Sequence, residues 1–287
     1  MSNYIAVADL HIQASTAREP EYLEIALKKL KWLEELRREY HATLIVAGDL
    51  FHSSQQPPSV INRLIGFSQR ALLIAGNHDL PYSSMDFVKD SAYATLIQCN
   101  LGVLMHSMSG VPFEFTDDTI ELLNWGSNPS GEDVTIQVTH RDLWMSPYAP
   151  GQKPGMALEY LKAQNARVVI SGHNHQSFCI EHNGRFLVNC GCMMHSKSRE
   201  ADYKFKAWVI EINGVNIRIF PVACPIDDVV ERAAKRTHTN SYMGDFIEGL
   251  SSFSTQKDIR EMFVDGAGKL HADACDYVRS VSNAICQ

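Results

Sequence analysis

The 287-residue sequence predicts an α/β fold in which two β-sheets pack face to face as a sandwich, helices flank them, and a small helical appendage follows. Three observations predict this fold. Short β-branched runs alternate with helical stretches in the first part of the chain, Asn-Gly pairs separate alternating strands in the second part, and polar helical sequence follows Pro225. We therefore expect a main domain over 1–222 and a helical appendage over 223–287.

The first part of the chain is expected to form a largely parallel sheet. The apolar runs that we predict as its strands are 4–8, 43–47, 71–75, 134–139 and 167–171. Between the first two runs, leucines recur at three- and four-residue spacing, which predicts an amphipathic helix packed on the sheet. These leucines are Leu23, Leu27, Leu30 and Leu33.

The second part is expected to form an antiparallel sheet laid against the first. Its predicted strands are 177–181, 185–189, 206–212 and 215–221. The Asn-Gly pairs at 183–184 and 213–214 are strong signals for tight hairpin turns. Near the C-terminus, one helical stripe is predicted from Leu270, Ala274, Val278, Val281 and Ile285.

The composition is typical of a soluble globular protein, with 45% hydrophobic and 21% charged residues. No apolar run approaches the ~20 residues that span a bilayer, and no export signal is visible, so we expect a cytoplasmic protein without a membrane partner. Seven thinly spread cysteines do not predict a disulfide framework. A net charge of −7 excludes a surface that is basic all over, so any contact with nucleic acid must be local.

Five short segments that combine acids, amides and histidines each follow a predicted strand. They are Asp9-Leu10-His11, Gly48-Asp49-Leu50-Phe51-His52, Gly76-Asn77-His78-Asp79, Thr139-His140 and Gly172-His173-Asn174-His175. Because the loops at the carboxyl ends of the strands converge on one crevice in an α/β sheet, we expect these side chains to meet. Gly48, Gly76 and Gly172 are expected to let the backbone turn sharply there.

The side chains in these segments predict a metal centre. Imidazoles, carboxylates and an amide, without a thiolate, suit Mn²⁺ best among the candidates, with Fe²⁺, Zn²⁺ and Mg²⁺ as alternatives. The candidate ligands number seven, namely Asp9, His11, Asp49, Asn77, His140, His173 and His175, which is too many for one ion. We therefore predict two divalent ions, roughly 3.5–4 Å apart, that share Asp49.

The ordered series DLH, GDLF, GNHD, TH and GHNH over residues 9–175 resembles the signature of the calcineurin-like metallophosphoesterases. The resemblance implies the ligands of both ions: Asp9, His11, Asp49 and His175 for one, and Asp49, Asn77, His140 and His173 for the other. It also implies that His78 is a catalytic histidine outside the ligand set, with Asp79 as its partner. The GDLFH and GNHD forms resemble the Mre11/SbcD-type DNA nucleases, in which the histidine matching His52 lies near the substrate phosphate.

The resemblance therefore implies a metal-dependent phosphodiesterase, with DNA as the expected substrate. Two ions that share Asp49 would lower the pKa of a shared water and so generate a hydroxide at neutral pH. His78 would protonate the leaving oxygen as a general acid.

Substrate and partner are predicted less directly. A cationic stretch formed by Lys197, Arg199, Lys204 and Lys206 could meet a phosphate backbone or form a solvated edge, and Tyr148 could stack on a base or pack. Three function classes stay open: a DNA nuclease, a phosphodiesterase acting on cyclic or small nucleotides, and a non-catalytic subunit that binds an ATPase partner. A homodimer is the alternative to the ATPase partner. The stretch after His175 is short for the capping domain and ATPase-binding segment of the nuclease branch.

Overall fold

A computed structural model describes residues 1–15, 21–65, 71–99, 110–147, 152–194 and 203–226. The chain divides into two units, Met1–Val230 and Glu231–Gln287, and all of the described residues belong to the first. The stripe predicted near the C-terminus lies outside the described residues, as does nearly all of the predicted appendage 223–287. That appendage therefore stays a prediction.

The described part of the chain contains eleven strands. In chain order they are β1 Ser2–Val7, β2 Thr43–Ala47, β3 Ala71–Ile74, β4 Phe113–Phe115, β5 Asp118–Leu123, β6 Val134–Thr139, β7 Ala166–Ser171, β8 Phe178–His182, β9 Arg185–Asn189, β10 Lys206–Asn213 and β11 Asn216–Ala223. All nine predicted strands are present, with ends shifted by no more than two residues. The predicted turns at 183–184 and 213–214 join β8 to β9 and β10 to β11, respectively.

Within the described ranges, four α-helices accompany the strands: α1 Tyr22–Glu39, α2 Pro58–Leu64, α3 Ala92–Cys99 and α4 Met156–Ala163. The predicted leucine stripe lies on α1. Leu30 and Leu33 are buried, and Leu23 and Leu27 pack half-buried against the same apolar cluster. Two 3₁₀ turns, Pro81–Ser83 and Met85–Asp90, lie between β3 and α3. None of the helices described is both long and apolar enough to cross a membrane.

The strands form two mixed sheets, with the orders β11-β10-β1-β2-β3 and β4-β5-β6-β7-β9-β8. The predicted division into a parallel first-half sheet and an antiparallel second-half sheet is wrong. In the first sheet β10 pairs antiparallel with β1, and in the second sheet β9 pairs parallel with β7. Each hairpin of the second half thus extends a different sheet. Local sequence patterns carry no signal for such long-range pairing.

The two sheets enclose the central apolar layer. Because successive residues of a strand face opposite sides, Tyr4 and Ala6 of β1 pack between the sheets while Ile5 and Val7 pack toward the helices. α1, α2 and α3 cover the outer face of the first sheet, and α4 covers the second with Val169 and Leu187. The predicted sandwich flanked by helices is therefore confirmed.

The hairpin of β4 and β5 was not among the predicted elements. Its turn, Thr116 and Asp117, lacks the Asn-Gly pair that marks the other two hairpins. At the start of β5, Asp118 accepts a hydrogen bond from the Tyr4 hydroxyl over 2.8 Å, which ties the two sheets together. Burial, followed by Asp118, raises the pKa of Tyr4, so this hydroxyl stays protonated.

Candidate metal centre

The five polar segments lie at the carboxyl ends of β1, β2, β3, β6 and β7, and each begins within two residues of the strand end. Beyond their strands, the β1 and β2 loops continue side by side. The Asp9 N–H donates to the Gly48 carbonyl and the His11 N–H donates to the Asp49 carbonyl, both over 3.1 Å. This backbone pairing holds the first two segments against each other.

Four of the predicted ligands have left-handed backbones, with φ values of 52° for Asp9, 45° for His11, 50° for Asp49 and 77° for His173. Residues other than glycine rarely adopt such values, and their occurrence in several neighbouring loops is typical of functional sites.

The first group of facing side chains is formed by Asp9, His11 and His175. Their candidate ligand atoms all lie within 4.8 Å of one another. The Nε2 atoms of His11 and His175 are 3.2 Å apart, and Asp9 Oδ1 lies 3.5 Å from His175 Nε2. The other oxygen of Asp9 accepts the His173 N–H over 2.9 Å, which fixes the carboxylate.

The second group is formed by Asp49, His140 and His173, whose candidate ligand atoms also lie within 4.8 Å of one another. Asn77 adds its amide oxygen, 2.9 Å from His173 Nδ1. His140 is oriented by its Nδ1, which lies 2.7 Å from the Ala47 carbonyl and leaves Nε2 directed at Asp49.

Asp49 joins the two groups through one oxygen. Its Oδ2 lies 3.3 Å from His140 Nε2 in the second group and 3.9 Å from His11 Nε2 in the first. Its other oxygen, Oδ1, accepts the His78 N–H over 2.9 Å. A single carboxylate oxygen that faces both groups has the geometry expected of a ligand shared by two ions.

All three predicted glycines are required by close approach. A Cβ on Gly172 would overlap the Ala47 carbonyl oxygen. A Cβ on Gly48, which has a φ of 88°, would overlap the His140 ring, and a Cβ on Gly76 would overlap the Asp49 carboxylate. Any side chain in place of Gly48 or Gly76 would displace a candidate ligand.

The electrostatics of the site favour a bound cation. Burial acts to raise the pKa of Asp49, but the facing imidazoles, led by His140, hold it well below its usual range. Burial acts to lower the pKa of His140, but Asp49 outweighs it and raises the pKa to about 9. Burial lowers the pKa of His11 to about 4, so this imidazole is neutral. A metal ion would replace the proton of His140 as the counter-charge of Asp49.

Buried atoms of the first group that have no hydrogen-bond partner among the described residues are Asp9 Oδ1 and His11 Nδ1. Orphaned polar atoms are costly in a protein interior unless an ion or water satisfies them. The donors are carboxylate, imidazole and amide groups, which suit divalent first-row ions. The residues present therefore fit two divalent ions, and the individual ligand assignments stay predictions.

His52 and His78 lie beside the ligand groups, and both are half-buried. The ring of His78 makes an edge contact with His11 at a centroid distance of 4.9 Å, and the His52 ring lies 5.6 Å from both. His78 Nδ1 lies 2.6 Å from the His52 carbonyl, so this nitrogen is the protonated donor. Its Nε2 is the ring nitrogen that can accept or donate a second proton.

Asp79 does not orient His78 as predicted. Its fully buried carboxylate accepts the backbone N–H groups of Leu50, Phe51 and Gly76 over 2.8 to 3.2 Å. Burial, followed by the charge of Asp49, raises the pKa of Asp79 to about 7 against these donors. Asp79 therefore fastens the β2 loop to the β3 loop, while the carbonyl of His52 orients His78. His78 and Asp79 lie in the turn after β3, where the backbone directs their side chains to different partners.

Sequence reasoning missed a sixth strand end, the one after β5. The Asn124 amide oxygen accepts the Ala75 N–H over 2.8 Å, and the Trp125 N–H donates to the Ala75 carbonyl over 2.9 Å. The Trp125 ring lies on His173 at a centroid distance of 5.1 Å, tilted by 32°. The apolar run of β5 followed by Asn-Trp was the available signal.

The cationic stretch is described only in part. Lys197, Arg199 and Tyr148 lie outside the described residues, Lys204 is exposed, and Lys206 Nζ lies 5.6 Å from the Trp208 ring centroid. Cys190 and Cys192 are buried just beyond the end of β9.

Residues 3–177 match the family model described as calcineurin-like phosphoesterase. No curated protein matches the chain significantly. Among solved structures, the chain is similar to an archaeal phosphodiesterase, at 15% identity and a TM-score of 0.40 over 77% of this chain and 99% of that one. It is also similar to a Staphylococcus aureus protein assigned as a 5′-nucleotidase, at 15% identity and 0.47 over 79% and 54%. A single mutant of Vps29 from Entamoeba histolytica has 13% identity and 0.39 over 77% and 99%.

Proposed function

Because the chain belongs to the calcineurin-like phosphoesterase family, we propose that it is a metal-dependent phosphodiesterase that cleaves DNA. The observation that carries this proposal is the placement of His52 and His78. With His11 they form a third group whose candidate ligand atoms lie within 4.8 Å of one another, but they lie outside the two predicted ligand sets, and both side chains are half-buried. A phosphodiester needs such groups, because its leaving alkoxide is a poor one that must receive a proton.

The two ions would be held by the groups described above, with Asp9, His11 and His175 on one side of Asp49 and Asn77, His140 and His173 on the other. When bound, divalent ions lower the pKa of water and neutralise phosphoryl charge, which makes hydrolysis feasible near neutral pH. The protein contributes the fixed positions of these donors.

His78 is positioned to deliver the proton. With Nδ1–H donating to the His52 carbonyl, its Nε2 is the nitrogen that can carry and transfer a second proton. The N–H of His78 donates to Asp49, so the backbone of the proposed acid is fixed to the proposed shared ligand. The proposed acid and the proposed shared ligand are thereby held together across the β2 and β3 loops.

The forms GDLFH and GNHD support DNA as the substrate, because they resemble the Mre11/SbcD-type nucleases in the segments that carry His52 and His78. The net charge of −7 favours the second candidate function, a phosphodiesterase acting on cyclic or small nucleotides. Such a substrate needs no extended basic surface.

A gel time course distinguishes the two candidates. The purified chain with Mn²⁺ is incubated with end-labelled single- and double-stranded DNA, and in parallel with a cyclic nucleotide, a small diester and a phosphomonoester. We expect the DNA to be shortened and the diesters to react faster than the monoester. Intact DNA together with turnover of a cyclic nucleotide would replace the nuclease proposal by the second candidate.

The metal requirement is tested in the same assay. Activity should disappear with excess chelator and return best with Mn²⁺, because nitrogen and oxygen donors of this kind bind that ion well. Undiminished cleavage in excess chelator would show that the activity does not depend on a metal, and the proposal would be wrong.

A further inference from the structure

Two aromatic side chains are exposed directly after the GNHD segment. Tyr82 is 88% exposed and Phe87 is 43% exposed, and their rings meet edge to face at a centroid distance of 5.3 Å. Among the described residues these are the only aromatic side chains with large exposure. Exposed apolar side chains that lie against each other mark a candidate contact surface.

The pair is close to the site along the chain. Tyr82 follows His78 by four residues, so its Cα lies at most about 14 Å from that of His78. The residues between them are anchored, since Asp79 is fully buried and Leu80 is 3% exposed. The aromatic pair is therefore held at a set distance from the proposed general acid.

The far side of the same segment is tied to the loop that carries His52. The Ala92 N–H donates to the Ser54 carbonyl over 2.7 Å, and Gln55 Nε2 donates to the Asp90 carbonyl over 2.5 Å. The segment from 80 to 91 thus spans from the His78 loop to the His52 loop and presents its aromatic pair outward.

The backbone at Tyr82 is strained. Tyr82 and Ser83 have φ values of 55° and 51°, in the left-handed region that a bulky residue rarely adopts. Hydrogen bonds from the Ser83 N–H to the Leu80 carbonyl and from the Ser84 N–H to the Pro81 carbonyl hold this turn. Since the Tyr82 ring is not buried, packing does not explain the strain, which is characteristic of functional positions.

The charges around the pair indicate what it would bind. The exposed ionisable side chains of the segment are Asp86, Lys89 and Asp90, which together do not attract a phosphate backbone. The face of a nucleobase is uncharged and stacks on aromatic rings irrespective of its sequence. A base is therefore the part of a nucleic acid that suits this surface.

We propose that Tyr82, braced by Phe87, stacks on an unpaired nucleobase next to the scissile phosphate. The inference rests on the proposed function and specifies its substrate: a strand whose bases are open near the cleaved bond. In the paired duplex the base faces are covered by neighbouring pairs, so such a contact favours single strands and frayed ends.

The test compares Tyr82→Asn with Tyr82→Phe. Asparagine tolerates the left-handed backbone and removes the ring, whereas phenylalanine keeps the ring and removes only the hydroxyl. On single-stranded DNA we expect kcat/KM to fall roughly 5- to 100-fold for Tyr82→Asn, mostly through KM, and to stay near wild type for Tyr82→Phe. Val215→Asn, at a position 89% exposed in the β10–β11 turn, is the matched control and should change nothing.

An abasic residue beside the cleaved bond identifies the contact. If Tyr82 stacks on that base, the kcat/KM of the wild-type protein should fall on the abasic strand by the same factor as the Tyr82→Asn substitution causes on the intact strand. The kcat/KM of Tyr82→Asn should then be the same on both strands. Methyl nitrophenyl phosphate, which has no base, should be hydrolysed equally by all variants. A further loss by Tyr82→Asn on the abasic strand would show that the ring contacts something else, and the proposal would be wrong.

The failure of this inference differs from that of the proposed function. If wild type cleaves DNA and Tyr82→Asn cleaves it equally well, the stacking contact is refuted while the nuclease stands. A change of oligomeric state in that variant would then assign the pair to a protein contact. If DNA is not cleaved but nucleoside diesters are, the nuclease fails. In that case, stacking is supported if Tyr82→Asn hydrolyses nucleoside diesters more slowly than wild type does but hydrolyses methyl nitrophenyl phosphate equally well. Equal rates of the two proteins on nucleoside diesters refute it.

Discussion

At the residue scale, Asp49 is the side chain on which the candidate centre depends. Its Oδ2 faces a histidine of each ligand group and its Oδ1 accepts the His78 N–H. Replacing it with asparagine removes the negative charge that would balance two ions and presents an N–H₂ group in one of the two oxygen positions.

We therefore expect Asp49→Asn to lose most of its bound metal, as measured by elemental analysis of the purified protein. Asp118→Asn is the matched control. Asp118 is also buried, but its carboxylate accepts a hydrogen bond from the Tyr4 hydroxyl and belongs to neither ligand group. That variant should keep two ions per chain. Two ions retained by Asp49→Asn would contradict the shared-ligand assignment.

His78 provides a second prediction at this scale, because it is proposed to move a proton and not to hold an ion. His78→Ala should keep the metal content of wild type and lose ~10²–10⁴ in rate on an alkyl phosphodiester. The loss should be much smaller for a nitrophenyl diester, whose leaving group needs no proton. Equal losses on both diesters would indicate that His78 contacts the phosphate instead.

At the element scale, the strand-end loops are fastened to each other by side chains that carry no predicted ligand atom. Asp79 is the clearest case, since its carboxylate collects three backbone N–H groups from the β2 and β3 loops. An asparagine there has one acceptor oxygen and one donor group, so at least one of these N–H groups would lose its partner.

Asp79→Asn should therefore lower the free energy of unfolding by about 1–3 kcal/mol for each unsatisfied donor. Urea denaturation in the presence of chelator measures this without a contribution from metal binding. Asp118→Asn again serves for comparison, because it perturbs a single hydrogen bond. Wild-type stability of Asp79→Asn would show that the loops are held by other contacts.

The loop after β5 leads to a prediction for Trp125, whose ring supports His173. Trp125→Ala should weaken binding of one of the two ions by about 10- to 100-fold, as removal of outer-shell support does in other metal sites. Trp125→Phe keeps a ring against the imidazole and should bind nearly as wild type. Isothermal titration with Mn²⁺ separates these outcomes.

Trp32→Ala is the control for this series. Trp32 is a half-buried side chain of α1 that packs against the apolar cluster between the helices and the outer face of the first sheet. It should affect stability and leave both metal affinities unchanged. Equal binding by Trp125→Ala and wild type would limit Trp125 to a packing role.

At the scale of the whole molecule, the candidate centre draws its side chains from both sheets, β1, β2 and β3 on one side and β6 and β7 on the other. Ions bound there would connect the two layers of the sandwich. Metal binding to the folded state alone therefore stabilises the entire unit by mass action.

Mn²⁺ at about 100 times its dissociation constant should add ~2.7 kcal/mol per site. For a domain of this size the thermal midpoint should rise by about 5–10 °C for each occupied site, and so by about 10–20 °C for two ions. Differential scanning fluorimetry with and without chelator measures the shift. Asp49→Asn should show little of it, and an equal shift in that variant would mean that the stabilising ions bind elsewhere.

The sequence by itself determined nine of the eleven described strands, helix α1 and the five polar segments at strand ends. These features depend on short-range patterns: period two within strands, three- and four-residue spacing on α1, and polar residues that follow β-branched runs. The ligand types in those segments also indicated a metal centre before any distance was known.

Only the tertiary structure decided which strand pairs with which, because the pairing of β10 with β1 joins residues about 200 positions apart and is driven by packing across the whole sandwich. It also decided that Asp79 binds the β2 loop and not His78, and that Trp125 supports His173. The exposure of Tyr82 was equally beyond the sequence. The contacts of Asp79 and Trp125 and the exposure of Tyr82 depend on the direction of a side chain in a turn, which is set by neighbours that the local pattern does not contain.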